Sequence, residues 1–367
     1  MRAAIFRRPR QPLTIENVDI ADPIGKEVLV RTVASGVCHS DKHSLDGLVG
    51  NRWGSDPTVV LGHEGAGVVE AVGDDVTYVQ PGDHIVACLS GFCGSCEQCL
   101  RGHPNLCTGK MQVVRRATSA PPRLSMDGLP VQQGSEIASH AEMMLLHENS
   151  VVKIEKSYPL EVAALVGCAV TTGVGAALRS SGLRAAETVA VYGCGGVGLS
   201  IIQGARIGGA RRIIAVDRFD SKLELARELG ATDTVNATEP DPVAAIREVT
   251  GGEGVNHAFE AVGIPALVSQ AVRSLAIHGT ATIVGVMPVG AAIEFPWAAL
   301  QPECKIQTSR MGSNAFRFDI PQYLEFYKQG RLKLDEMISR RIPLDDINDA
   351  FRAMEEGDGA RSVLVFD

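Results

Sequence analysis

After about Pro159 the chain settles into short apolar runs separated by helix-length segments, and that alternation constrains the fold more than any other feature of its 367 residues. Parallel strands need crossover helices between them, so the pattern specifies a parallel sheet built from strand-helix-strand units. Thr188 to Tyr192 reads as strand, Gly195 to Gly208 as helix, Arg212 to Val216 as strand and Asp220 to Gly230 as helix, while Val255 to Glu260 and Thr280 to Val286 continue the strand series. From about Cys304 the alternation is lost, and the last strand, Ser362 to Phe366, is expected to return to the first half. That first half, Met1 to about Lys153, differs: β-branched runs such as Val28 to Val33 and Val59 to Leu61 alternate with turn residues at Pro23, Gly25, Gly54, Pro57 and Pro81-Gly82. The length exceeds one ordinary core, so the fold class is α/β plus β. A β-rich domain is expected over 1–158, a doubly wound parallel sheet over 159–305, and a return to the first domain over 306–367. Residues 113–134, polar and proline-punctuated, read as a long surface loop.

The net charge of −8, with no basic run able to track a phosphate backbone, excludes nucleic acid as a partner. The stretch Met1 to Ile20 has arginines at positions 7, 8 and 10 but no apolar core, so it does not read as a secretory signal, and the cytosol is the expected compartment. Val162 to Leu178 is uncharged over 17 residues, yet its glycines and threonines dilute its apolarity, so it reads as a buried helix rather than a membrane span. Nine cysteines in a reducing compartment point to metal or redox chemistry before disulfides.

Gly193-Cys194-Gly195-Gly196-Val197-Gly198 fits G-x-G-x-x-G directly after a strand and at the opening of a helix. Glycines there permit the tight turn and let a pyrophosphate approach the helix N-terminus. Asp217 ends the next strand 19 residues after Gly198, where a carboxylate accepts from adenosine ribose hydroxyls and repels a 2′-phosphate; this favours NAD over NADP, although the adjacent Arg218 softens the discrimination. Cys93, Cys96, Cys99 and Cys107 form C-x2-C-x2-C-x7-C, a spacing that lets one loop wrap one ion. Four thiolates close a tetrahedral zinc with no open position, which makes a structural site; an iron-sulfur cluster or four unligated thiols are the alternatives. Cys88, Cys194 and Cys304 fall outside any metal spacing.

The segment Cys38-His39-Ser40-Asp41-Lys42-His43 concentrates a thiol, two imidazoles, a hydroxyl and a carboxylate, Gly62-His63-Glu64 adds another imidazole and carboxylate, and Gly167-Cys168 adds a second thiol. Taken with Gly67, Gly73, the four-cysteine run and the Gly193 motif, in this order and spacing, the chain resembles the zinc-containing medium-chain alcohol dehydrogenases over nearly its whole length. The resemblance implies a GroES-like catalytic domain, a Rossmann domain, two zinc ions per subunit and NAD. It implies Cys38, His63 and Cys168 as catalytic zinc ligands, Glu64 as a residue that approaches the metal during ligand exchange, and Asp41 as the carboxylate orienting His63. Three protein ligands and one labile position are what a catalytic zinc needs, and an alcohol entering there loses its proton more easily. By the same resemblance Ser40 takes that proton and His43 delivers it to solvent through the nicotinamide ribose. His39 and Arg361 match pyrophosphate contacts, Lys222 an adenosine-ribose contact and Val286 a further coenzyme contact. A histidine in place of a permanent cation at position 39 implies weaker coenzyme binding as pH rises.

Ser40 and Leu89, at positions that shape the substrate pocket in the family, leave room for a primary alcohol with a sizeable apolar or aromatic group. The long segment between Cys107 and Glu136 favours a homodimer over a tetramer. The alternatives within the family are the glutathione-dependent formaldehyde dehydrogenase branch and a nicotinoprotein that retains its NAD. Outside enzymes, a zinc-stabilised binding protein on the same fold would predict a damaged catalytic shell, and the shell is complete in sequence.

Overall fold

The computed structural model describes residues 1–50, 52–117, 119–238 and 240–367, which divide into two compact units. The first comprises Met1–Cys168, Ala315–Gln329 and Leu334–Asp367, the second Ala169–Asn314 and Gly330–Lys333. The expected boundaries at 158/159 and 305/306 follow the change of sequence pattern, whereas the units part at Cys168/Ala169 and Asn314/Ala315. The helix Leu160–Leu165, which opens after Pro159, packs on the strands Glu27–Gly36 and Glu64–Val72 and so belongs to the first unit.

The first unit is built on a seven-stranded sheet in the order Val151–Ile154, His84–Ala87, Glu64–Val72, Glu27–Gly36, Arg361–Val365, Ile338–Ile342, with Met143–His147 also paired to Glu27–Gly36. The C-terminal strand thus returns to the first unit as the sequence implies. Alternation along Glu27–Gly36 buries Val28 and Val30 with Val69, Ile85, Met144, Leu146 and Val151 in one apolar layer. The described residues of 113–134 do not form a free surface loop. They hold the strands Leu124–Met126, Leu129–Pro130 and Gln132–Gln133, the first paired with Asp19–Ile20 and the last with Val59–Val60; Leu124 and Val131 are buried, while the guanidinium groups of Arg116 and Arg123 reach inward to the buried carboxylate of Glu27. Burying those apolar side chains and satisfying that charge outweigh the polar character of the segment.

The second unit holds a six-stranded, wholly parallel sheet in the order Asp233–Asn236, Arg212–Asp217, Thr188–Tyr192, Val255–Glu260, Leu275–Ile283, Lys305–Thr308. Thr188–Tyr192 is buried along its whole length, as a strand covered on both faces must be. The fifth strand begins and ends earlier than the expected 280–286: Leu275 pairs with Val255, exposed Ile277 and the left-handed His278 lie where the register shifts, and regular pairing resumes at Thr280. The sixth strand, Lys305–Thr308, lies where regular alternation was expected to end; it is short, polar and at the sheet edge, so it carries no apolar signal. The uncharged stretch lies in the helix Leu160–Ser180, and 89% of its most apolar window is buried.

Candidate functional site

Strand register builds the first site. Gly36 pairs with Glu64, and the strands are antiparallel, so Cys38, two residues beyond one strand, and His63, one residue before the other, emerge at the same end of the sheet. Val363 pairs with Gly36 on the other side, which brings Arg361 to that end as well. Cys168 arrives on a π-helical turn, Val166–Val170, an irregularity that re-aims a side chain and for which sequence periodicity offers no signal. Gly167 lets that turn sit on the strand His84–Ala87, since a Cβ there would lie 2.4 Å from the carbonyl oxygen of Ala87.

The ligand atoms of Cys38, His63, Glu64 and Cys168 lie within 4.8 Å of one another, and all four residues are buried. His63 turns Nδ1 towards Asp41, 3.3 Å from Oδ1 and 3.2 Å from Oδ2, so Asp41 accepts the Nδ1 hydrogen and Nε2 is left for the thiols. Ser40 Oγ sits 3.1 Å from His63 Nε2 and 3.3 Å from Cys38 Sγ, at the edge of the cluster. Glu64 is wholly buried, and neither carboxylate oxygen has a hydrogen-bond partner; Arg361 Nη2 stands 3.4 Å from Oε1. Burial pushes the Glu64 carboxyl up to about 8 against the attraction of Arg361. Hydrogen bonding between the two thiols holds Cys38 well below the usual thiol range and Cys168 well above it. Two soft sulfurs, one imidazole nitrogen and an unpartnered carboxylate around one point suit a divalent cation, and three protein ligands leave zinc a position for substrate.

The remaining residues assigned to this unit divide. His43 is half-buried, and burial lowers its pKa; His39 is exposed, its ring 6.4 Å from that of His43. Arg361 is not a surface charge: it is 5% exposed and donates from Nη1 to the carbonyl oxygen of Val37 at 2.8 Å. Its proximity to Glu64 has no sequence signal, because the two lie almost 300 positions apart and meet only through strand pairing.

The four-cysteine lobe folds locally. Cys93 Sγ lies 4.0 Å from Cys99 Sγ, and Cys96 Sγ 3.8 Å from Cys107 Sγ. Tetrahedral ligands about 2.3 Å from zinc are separated by about 3.8 Å, so these four sulfurs fit one ion. Backbone amides of Ser95 and Cys96 point at Cys93 Sγ, and that of Cys93 at Cys107 Sγ, donors that favour thiolates. Cys88 and Cys194 are buried free thiols outside both clusters, and Cys304 is a half-buried one.

In the second unit Gly193 has φ +96°, and a Cβ on Gly198 would lie 1.7 Å from the Gly193 carbonyl oxygen, so this turn admits glycine at both positions. The space above Gly195 is open, and Gly196 and Val197 begin the helix Gly196–Ile207. Asp217 accepts from the backbone of Cys194 at 2.7 Å and of Phe219 at 3.1 Å, which fixes the carboxylate beside the turn with lone pairs to spare. Lys222 lies over the Phe219 ring at 5.0 Å, and Val286 is 57% exposed beyond the end of its strand.

Comparison with known proteins identifies the family to which the chain is similar. Residues 25–156 match the family model described as an alcohol dehydrogenase GroES-like domain, and residues 196–329 the model described as a zinc-binding dehydrogenase. S-(hydroxymethyl)glutathione dehydrogenase of Haemophilus influenzae is 36% identical over 375 residues, covering 100% of this chain and 97% of the relative. Among solved structures, an alcohol dehydrogenase zinc-binding domain protein from Burkholderia ambifaria superposes with a TM-score of 0.92 at 37% identity, over 100% of this chain and 98% of the other. Benzyl alcohol dehydrogenase from Acinetobacter calcoaceticus gives 0.91 at 33% identity, over 100% and 99%.

Proposed function

Given that the chain belongs to the zinc-containing medium-chain alcohol dehydrogenases, and is a zinc- and NAD-dependent oxidoreductase, we propose that it converts primary alcohols bearing a sizeable apolar or aromatic group to aldehydes. Cys38, His63 and Cys168 hold the catalytic zinc, with Asp41 orienting His63 and Glu64 held in reserve beside them. Bound there, zinc supplies the Lewis acidity that eases loss of the hydroxyl proton. Ser40 Oγ, at the edge of the ligand cluster, accepts that proton, and half-buried His43 passes it outward. Gly193, Gly195, Gly196, Val197, Gly198 and Asp217 hold the coenzyme, with Lys222 and Val286 beside it.

One observation favours an apolar alcohol over a glutathione adduct. In the cysteine lobe and the segment after it, Arg116 and Arg123 are buried on Glu27 and Lys110 donates to the Leu89 carbonyl, while Arg101 and Arg115 make exposed pairs with Glu97 and Glu136. A glutathione adduct needs free cations for its carboxylates. Against this stands the relative named as an S-(hydroxymethyl)glutathione dehydrogenase, so both substrates belong in one assay. Benzyl alcohol and hexanol should exceed ethanol in kcat/KM, and formaldehyde with glutathione should not exceed benzyl alcohol. Ethanol or the glutathione adduct leading the series would reverse the reading.

A homodimer is the proposed assembly, supported by exposed apolar side chains at Val289 and Trp297 and by the length of the segment between Cys107 and Glu136; sedimentation velocity tests it. Nine cysteines with no disulfide between them, most of them in the two metal-ligand clusters, suit a reducing compartment, and the cytosol is proposed on that ground.

A further inference from the structure

A buried carboxylate in the second unit belongs to neither zinc cluster nor to the glycine motif. Glu260 closes the strand Val255–Glu260 with no exposed surface, and its Oε1 accepts from three successive backbone amides, Val262 at 2.9 Å, Gly263 at 2.7 Å and Ile264 at 3.3 Å. Its Oε2 is buried without a partner among the described residues.

The location gives this clamp a consequence. Thr188–Tyr192 lies between Arg212–Asp217 and Val255–Glu260, so chain order reverses there, and a dinucleotide crosses a parallel sheet at such a reversal. Asp217 ends the strand on the adenosine side. The ends of Val255–Glu260 and Leu275–Ile283 therefore face the other half of the coenzyme. The clamped loop lies over the glycine turn, with Val262 Cγ2 2.3 Å from where a Cβ on Gly193 would stand. It also abuts the next strand end, since a Cβ on Gly263 would lie 2.3 Å from the Val286 carbonyl oxygen. Held this way, Val262, Ile264 and Val286 are left 36%, 46% and 57% exposed, an apolar shelf suited to a flat heteroaromatic ring.

We propose that Glu260 is a positioning residue for the nicotinamide half of the coenzyme, acting through the loop Val262 to Ile264 that its carboxylate fixes between Gly193 and Val286; this rests on the coenzyme reading above. Replacing it leaves three amides without their acceptor, and the shelf loses its place while Asp217 and the glycine turn keep theirs.

The test uses the zinc-loaded protein with NADH and ADP-ribose as probes, which differ by the nicotinamide. Glu260→Leu should weaken NADH about tenfold or more while ADP-ribose stays within about twofold, and Glu260→Gln, whose carbonyl still accepts the amides, should recover most of the loss. ADP-ribose weakening in parallel, NADH unaffected, or glutamine no better than leucine would each overturn the proposal. Should the leucine variant not fold, amide hydrogen exchange on the native protein decides: NADH should slow exchange at Val262, Gly263 and Ile264 more than ADP-ribose does, and equal slowing would overturn it. A native protein that binds neither probe would remove the coenzyme reading itself.

Discussion

Asp41 and His63 face each other, carboxylate to imidazole, 3.2 Å from Oδ2 to Nδ1, with both side chains buried. Asp41 also accepts from the Gly62 amide at 3.3 Å, so one carboxylate holds both the ring and the backbone that carries it.

Asp41→Asn can present its amide NH2 to Nδ1 and so select the wrong tautomer, which turns a hydrogen towards the thiols. Zinc affinity of the catalytic site should fall by about 10- to 100-fold, the usual effect of losing such a partner. Competition with a chelator measures it, and an unchanged release rate would remove Asp41 from this role.

Cys96→Ser removes one sulfur from a closed four-thiolate set. Metal analysis should then fall from two zinc ions per chain towards one, and the melting temperature should drop, while the protein that stays folded keeps the three remote ligands of the other site. Loss of activity at full zinc content would contradict the division into structural and catalytic ions.

The Glu27 carboxylate is held below the usual carboxyl range: burial alone would raise it, but hydrogen bonds from Arg116 and Arg123 prevail. A carboxylate with a depressed folded pKa adds stability that is fully present above its unfolded pKa and is lost as pH falls through the folded value. Arg123→Met should cost about 2 kcal/mol at neutral pH, since Arg116 remains, and removal of both arginines about 4 kcal/mol. Urea melts should show these differences shrinking as pH falls below the carboxyl range; penalties independent of pH would assign them to packing instead.

Asp217 does two jobs, fixing the glycine turn through Cys194 and facing the ribose. Asp217→Ala should therefore lower kcat/KM for NAD by roughly tenfold while leaving NADP much less affected, because the repulsion it exerts on a 2′-phosphate goes with it. Equal losses with both coenzymes would confine Asp217 to the turn.

Much of this protein is written locally. The C-x2-C-x2-C-x7-C run folds round one point because all four sulfurs lie on a single short loop, and the glycine turn follows from steric demands within six residues. The parallel sheet is legible for as long as its strands are apolar; Lys305–Thr308 escapes because an edge strand need not be, and the segment after Cys107 misleads because its polar residues serve a buried ion pair.

Sequence alone determined which chemical groups the chain possesses, the four-sulfur lobe and the alternating second half, since each depends on neighbours a few residues apart. The resemblance named Cys38, His63, Glu64 and Cys168 together, but what physically brings them to one point is the tertiary structure. Nothing in the numbers 38, 63, 168 and 361 requires a meeting; the pairing of Gly36 with both Glu64 and Val363, and the π-helical turn at Cys168, bring it about. Chain separation carries no information about distance once strands pair, and for that reason Arg361 beside Glu64 and Glu260 beneath its loop emerged only in three dimensions.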